Sequence, residues 1–355
     1  MTKIDNFQAR DQEELLAYVE TINPILYERS RNSLAGSVTH LSPYITCGTI
    51  SLNQVKDTIR KKYKSAESLK LIQELAWRDF FQSVYASLGR DIFVSIKREQ
   101  GYGVFDELPK AIIEANTGIK IIDNAINKLY QTGYLHNHER MWIAMLVCNI
   151  AGVKWHVGAK WMYYHLIDGD LASNTLSWQW VAGTFSAKKY FANQENLNKY
   201  GLSQDRQKDT FLDKSYEELD ADSEAKIFPG ILQPRIDSGL IDNIDYLASF
   251  FEQVTSPVVT LFTITTITES LKQKNDPVLV YCQDSDWLIS RNRINFVVNQ
   301  IKKIAPNTKL FLVPQNHPDL AQILKLLPTQ ERMFPSLTDY YPSFFKFWSW
   351  AEQLV

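Results

Sequence analysis

Residues 133–183 are the stretch of the chain that most strongly limits the possible kinds of fold and binding site. It contains five of the nine Trp and four of the six His, together with Asp168 and Asp170. The ring nitrogens of Trp and His need hydrogen-bond partners when they are buried. This density therefore indicates a pocket for a planar polar ligand, with a Trp-rich core as the alternative that composition leaves open.

The bulk composition narrows the class of protein. A chain of 355 residues that is 45% hydrophobic can build a substantial core, and a net charge of −2 gives no overall basic field. Nucleic acid would therefore have to bind a local patch. The three Cys, which are far apart, do not indicate a disulfide framework or zinc site and fit a reducing, cytoplasmic location. No apolar run reaches the roughly 20 residues of a membrane span, so we expect a soluble protein.

Helical periodicity dominates the first half of the chain. Apolar spacing predicts a helix over residues 66–88, and further helices over 118–131, 137–150 and 154–167. Ser51 is expected to cap a helix that reaches Tyr63, and Ser42 a helix that begins with Pro43. Residues 27–40 are small and polar without an apolar face, which predicts an ordered loop.

The last hundred residues have a different pattern. Three short β-branched runs, SPVVTLFTI, PVLVYC and TKLFLV, enclose one helical segment, SRNRINFVVNQIKKI, between the second and third runs. This order predicts a βαβ unit, followed by a final helix near Ser343. The polar residues 193–240 predict an irregular surface connection. We therefore expect a mainly helical domain at 1–200, a connection at 201–255 and a small α/β region at 256–355.

Several common chemistries are excluded by missing motifs. The chain has no GxxxxGK, GxGxxG, GxSxG or HExxH. The DGDLASN run lacks the Gly and Glu of a calcium loop, and His136 and His138 are too close in sequence to ligate one metal from one helix face. We expect no metal site.

The central stretch instead supplies fixed hydrogen-bonding groups. Asn137, Asn174, Asp168 and Asp170 offer donors and acceptors, and Arg140 can neutralise one carboxylate. A few such groups in an apolar pocket are typical of cofactor sites.

Five motifs resemble a known family in their order along the chain. The run TGIKIIDNAINKLYQTGYLHNHERM, then DGDLASN and WQWVAG, resembles the flavin-binding half of DNA photolyases and cryptochromes. Upstream, THLSPYITCGTIS and ELAWRDFF resemble the phosphate-binding segment and the Glu-x-x-Trp-Arg helix of the same family. The resemblance covers about residues 27–190 and implies an all-helical fold that holds FAD.

The resemblance also implies roles for individual residues at the cofactor. The phosphates would be held at Tyr27, Thr39, Leu41 and Ser42, with added charge from Arg78. Asp168, paired with Arg140, and Asp170 would contact the flavin edge and the ribose or adenine, while Asn174 would face flavin N5. The implied cofactor residues are Tyr27, Thr39, Leu41, Ser42, Arg78, Asn137, Arg140, Asp168, Asp170 and Asn174.

By the same resemblance, the reaction is light-driven electron donation from reduced flavin to a cyclobutane pyrimidine dimer in DNA. Glu74 would hydrogen-bond the bases of the lesion, and Trp77 and Trp180 would stack against them. Asn137 and Met141 stand where dimer-repairing members carry Asn and Met. The implied partner is therefore DNA that contains such dimers.

An aromatic relay that reduces the flavin is implied as well. Trp178 and Trp155 match its first two stations, and Tyr102 falls at the third, where a Tyr radical would have to release its proton. Trp142 and Trp161 are additional candidates.

Departures from the family pattern leave alternatives. Val38 and His40 replace a Thr and a basic residue of the family's phosphate-binding segment, which weakens the expectation of phosphate contacts there. His138 stands where the family often has an Arg beside the phosphates of the lesion, and the loss of that charge would weaken the binding of DNA. Only 26 residues precede Tyr27, so we expect no N-terminal antenna domain, and we interpret the α/β region as a packing module. The alternatives are a cryptochrome-like light sensor that signals to a protein partner, and a flavin-binding protein without photochemistry.

Overall fold

The computed structural model describes residues 7–101, 105–221, 260–274, 277–282, 286–313, 325 and 327–355. Its first part is helical, and a small parallel sheet follows. The helices before residue 222 are α1 (Gln12–Thr21), α2 (Pro24–Ser30), α3 (Ser42–Cys47), α4 (Leu52–Lys62), α5 (Ser65–Leu88), α6 (Lys110–Ile113), α7 (Lys120–Thr132), α8 (Asn137–Met145), α9 (Trp155–His165), α10 (Leu171–Ala182), α11 (Gln194–Tyr200) and α12 (Tyr216–Ala221).

Helix ends follow the chemistry of their flanking residues. Ser51 caps α4 in a capping box with Gln54, as its position predicts. Gly133 and Gly183 end α7 and α10 with φ of 67° and 79°, a left-handed conformation that glycine adopts without strain. The long helix α5 confirms the strongest periodicity of the sequence.

Five local expectations differ from the structure. Residues 24–30 are helical, because Asn23 caps α2 by accepting from two backbone N–H groups and Pro24 fits its first turn. Helix α3 has Leu41 at its N-cap, so Ser42 lies inside the helix and its hydroxyl is free to bond elsewhere. Helix α7 begins only at Lys120.

The fourth difference concerns the polar stretch 193–240, whose described part includes α11 and α12. Asn193 caps α11 by accepting from Asn196 N. The remainder of this stretch, from residue 222 onward, lies outside the described residues. Helix α8 also departs from one regular helix, because it continues as a π-helical turn at Leu146–Ile150.

The C-terminal part contains the expected βαβ unit. Strands β1 (Thr260–Phe262), β2 (Pro277–Cys282) and β3 (Lys309–Val313) form a parallel sheet in that order. Helix α13 (Arg291–Ile304) connects β2 to β3. The last helix, α14 (Phe344–Ala351), is capped by Ser343 as predicted.

One buried apolar cluster joins the two parts of the chain. It contains residues of α1, α3, α4 and α5 together with residues of α13 and α14, such as Ile301 and Phe347. Arg332 reinforces this contact, because its Nε and Nη2 both bond the Asp79 carboxylate on α5, at 2.8 and 3.0 Å. The division into domains at residues 200 and 255 stays a prediction.

Within the described residues, no helix combines the length and the apolar character that crossing a bilayer requires.

Candidate functional site

The turn between α9 and α10 carries the first of the two predicted carboxylates, Asp168. Its side chain is 1% exposed. Oδ2 accepts from Ser42 Oγ at 2.5 Å and from Arg140 Nη2 at 2.7 Å. Thr46 Oγ1 donates to the carbonyl oxygen of Asp168 at 3.1 Å. Helices α3 and α8 therefore fix this carboxylate from two sides, and the expected pair of Arg140 with Asp168 is present.

Asp170 caps α10 and faces α5. Its Oδ1 accepts from Ser173 N at 2.8 Å. Its Oδ2 accepts from Gln82 Nε2 at 2.6 Å and from Arg78 Nη2 at 3.3 Å. Sequence reasoning missed Gln82, although it lies one helical turn after Arg78 on the same face of α5.

Helix α10 places Asn174 and Trp178 on successive turns after Asp170. Asn174 is 9% exposed and donates to the Ala159 carbonyl at 3.0 Å. The Trp178 ring lies directly on Gly158, where a Cβ would come within 2.4 Å of it. Glycine is therefore required there for α9 and α10 to approach.

Of the remaining relay residues, Trp155 is 2% exposed and its Nε1 donates to Ser95 Oγ at 3.2 Å. Tyr102 lies outside the described residues. Both additional candidates, Trp142 and Trp161, are buried.

The segment predicted to hold phosphates lies beside α3. Burial raises the pKa of Tyr27, so its hydroxyl remains a neutral donor at pH 7. Thr39 Oγ1 accepts from Leu41 N at 3.5 Å. Since Ser42 donates to Asp168, this segment and the carboxylate turn belong to one bonded unit.

Glu74 lies on α5 at the outer edge of this region. Its side chain is 28% exposed, and Oε1 binds Arg31 Nη2 at 3.1 Å and Lys70 Nζ at 2.8 Å. The sequence singled out neither cation. Arg31 comes from the segment after α2 that was expected to be irregular.

The other residues of the predicted substrate mouth differ in accessibility. Asn137 Nδ2 donates to Met141 Sδ at 3.3 Å along α8, and Trp180 is 37% exposed. Trp77, in contrast, is stacked against Phe344 of α14, with ring centroids 3.7 Å apart and planes inclined by 11°. One face of Trp77 is therefore covered by the protein itself.

The two His at the start of α8 are neutral near pH 7. Burial lowers the pKa of His136 to about 3 and that of His138 to about 4. His136 Nδ1 accepts from His138 N at 3.1 Å and so caps the helix. No cluster of three or more metal-ligating side chains occurs among the described residues.

The residues at the turn fit the FAD that the sequence resemblance implies. Asp168 Oδ1 is buried and has no hydrogen-bond partner among the described residues. A buried carboxylate oxygen without a partner is unfavourable. FAD carries ring N–H and ribose O–H groups that can donate to such an oxygen.

Comparison with known proteins gives the same assignment. The family model for the FAD binding domain of DNA photolyase matches residues 71–236. The deoxyribodipyrimidine photo-lyase of Streptomyces griseus is 34% identical over 161 residues, which cover 44% of this chain and 35% of that protein. The cryptochrome DASH of Xenopus laevis is 30% identical over 193 residues, which cover 50% of this chain and 36% of that protein.

The fold comparison extends over more of the chain. A bacterial class III photolyase from Agrobacterium tumefaciens matches with a TM-score of 0.51 and 22% identity, covering 70% of this chain and 58% of that chain. The chain spans about a third of the length of the two curated relatives. Residues 71–236 are therefore similar to the FAD-binding domain of the DNA photolyase and cryptochrome family.

Proposed function

We propose that this protein binds FAD at the Asp168–Asp170 turn and splits cyclobutane pyrimidine dimers in DNA by light-driven electron transfer. The observation that carries the proposal is the buried Asp168 carboxylate, which Ser42 and Arg140 hold in place while its Oδ1 lacks a partner. A rigid acceptor of this kind can orient a ligand before any chemistry begins.

When bound, reduced FAD supplies the electron that breaks the dimer after it absorbs light. The residues of the chain bind and orient the reactants. Asp168 accepts from an N–H or O–H of the cofactor, and the protonated hydroxyl of Tyr27 donates to a phosphate oxygen. The Asn174 amide donates to the Ala159 carbonyl, which holds it in a fixed position to face flavin N5.

Glu74 and Trp180 act on the DNA. The partly exposed Glu74 carboxylate accepts from the base N–H groups of an extruded dimer, while Arg31 and Lys70 hold it in place. Trp180 offers an accessible ring for stacking, which contributes about 1–3 kcal/mol per base in other proteins. Trp178 and Trp155 pass electrons inward from the surface.

The deciding experiment uses purified protein loaded with reduced FAD. Single- and double-stranded oligonucleotides with one thymine dimer are illuminated with blue light, and restored thymines are quantified. We expect light-dependent repair, and repair about tenfold slower in Glu74→Gln, because a charged hydrogen bond is replaced by a neutral one. Absence of repair in both substrates would overturn the proposal.

One observation favours a second function, a light sensor. Phe344 covers one face of Trp77, a residue that the family resemblance places against the lesion. In a sensor, this aromatic contact would transmit a change from the flavin site to α14 and a protein partner. Such a protein would repair no dimers, and blue light would change the rate at which a protease cleaves the chain near Ser343.

A further inference from the structure

Arg293 is a buried cation that the proposed function has not used. It is the third residue of α13, in the C-terminal part of the chain and outside the matched residues 71–236. The residue is 2% exposed. Its Nη1 has no hydrogen-bond partner among the described residues. A buried N–H group without an acceptor is unfavourable, so a ligand atom that accepts from Nη1 is expected.

The guanidinium of Arg293 lies against the carboxylate turn. A Cβ at Gly169, the residue between Asp168 and Asp170, would come within 2.7 Å of Nη1. Arg293 Cζ lies 5.0 Å from the centre of the Tyr163 ring on α9, a cation–π distance. Gly169 therefore leaves the space that the guanidinium occupies.

Helix α13 packs beside α3 and the residues that follow α3. Gln300 Nε2 donates to Thr49 Oγ1 at 2.9 Å, and the Phe296 ring lies 5.6 Å from the Tyr44 ring. The two contacts show that the residue numbers along α13 and along the segment 44–49 decrease in the same direction. Arg293 lies one turn before Phe296, and its Nη1 lies beside Gly169, next to the Asp168 that Ser42 of the predicted phosphate segment bonds.

Among the described residues, three arginines and two carboxylates meet at this turn. Asp168 pairs with Arg140, and Asp170 pairs with Arg78. Arg293 is the third arginine beside these two carboxylates, so this group carries one excess positive charge. An anionic ligand would neutralise it, and the diphosphate is the anionic group of FAD.

We propose that Arg293 binds a diphosphate oxygen of FAD through Nη1, so that the C-terminal α/β region completes the cofactor site. This inference rests on the FAD-binding part of the proposed function. Arg293 would then act in addition to the residues of the helical domain. It would make the affinity for FAD depend on the correct docking of α13.

The test compares FAD with riboflavin, which has the same flavin ring and no phosphate. Apoprotein is titrated with each compound, and the dissociation constants are measured by flavin fluorescence. Arg293→Met should weaken FAD binding about 10-fold to 100-fold, the effect of losing one charged hydrogen bond, and leave riboflavin binding unchanged. Arg293→Lys should retain part of the affinity. Arg291→Met, the same change at an exposed site on α13, should have no effect.

A thermal melt of the apoprotein separates this role from a structural one. If Arg293 serves the ligand, Arg293→Met costs the apoprotein only the cation–π contact with Tyr163, so its melting temperature changes little. If it only supports the turn, the variant melts earlier and both compounds bind less well, which would overturn the proposal. If Arg293→Met and wild type bind FAD equally well, the role of Arg293 is overturned and the proposed function is not affected. If the wild type binds no FAD, both proposals are overturned.

Discussion

Asp168 contributes both to the candidate site and to the packing of the helices around it. Its Oδ2 joins α3 to α8 through Ser42 and Arg140, while Oδ1 stays available to a ligand. The sequence predicted the partner Arg140, because the family motif contains both residues. It could not predict the bond to Ser42, which depends on where α3 begins.

Replacing this carboxylate should destabilise the protein. Asp168→Asn leaves the partly buried Arg140 without its counter-ion, so we expect the free energy of unfolding to fall by about 3 kcal/mol. The free energy of unfolding of wild type and variant is measured by chemical denaturation. Asp106→Asn is the control, because Asp106 is 65% exposed in its pair with Lys154, and its loss should change stability by less than about 0.5 kcal/mol.

His136 should make stability depend on pH. Burial lowers its pKa from 6.5 to about 3 in the folded protein, so acid protonates the unfolded chain first. The contribution of neutral His136 to the free energy of unfolding is fully present above pH 6.5 and is lost as the pH falls toward 3. Each proton bound on unfolding changes stability by about 1.4 kcal/mol per pH unit.

The variant His136→Asn keeps an N-cap acceptor for α8 and removes the titrating group. Denaturation between pH 6.5 and 4.5 should therefore give a shallower loss of stability in this variant than in wild type. Identical slopes would show that His136 does not contribute to the pH dependence.

At the scale of elements, contacts between helices depend on single small residues. Gly158 allows α9 to approach the Trp178 ring of α10. Gly158→Ala should force this ring to move and destabilise the protein by about 1–3 kcal/mol. Gly101→Ala is the matched control, since a Cβ there meets no atom within 4 Å. Thermal melts of both variants test the prediction, and equal melting temperatures would contradict it.

Helix α14 presents two neighbouring Phe in opposite environments. Phe344 is 2% exposed on Trp77, whereas Phe345 is 71% exposed. Phe344→Ala should lower the free energy of unfolding by about 3 kcal/mol, and Phe345→Ala by less than about 0.5 kcal/mol. Urea denaturation distinguishes them. Equal losses would mean that the stack on Trp77 is not maintained in solution.

Elements with strong local signals could be predicted, and contacts between distant segments could not. The period of α5, the cap at Ser51 and the βαβ order were all visible in the sequence. Helix α2 was missed because Asn23-Pro24 fits both the end of one helix and the start of the next. The stack of Phe344 on Trp77 has no local signal, because periodicity does not specify which distant face an aromatic residue meets.

The molecule as a whole should unfold in one step. Arg332 bonds the buried Asp79, and one apolar cluster includes residues from Leu15 to Ala351. Arg332→Met leaves a buried carboxylate unpaired, so we expect both parts to melt together at a lower temperature. Calorimetry of the apoprotein should give a single transition in wild type and variant. Two separate transitions would show that the C-terminal part folds independently.

The bond between Asp79 and Arg332 also bears on biosynthesis. The two residues are 253 positions apart. At translation rates of about 5–20 residues per second, Arg332 is therefore synthesised roughly 13–50 s after Asp79. During this time the apolar side of α5 that α14 later covers is open to the solvent. The apolar side of α5 in the nascent chain therefore needs protection from aggregation until α14 leaves the ribosome.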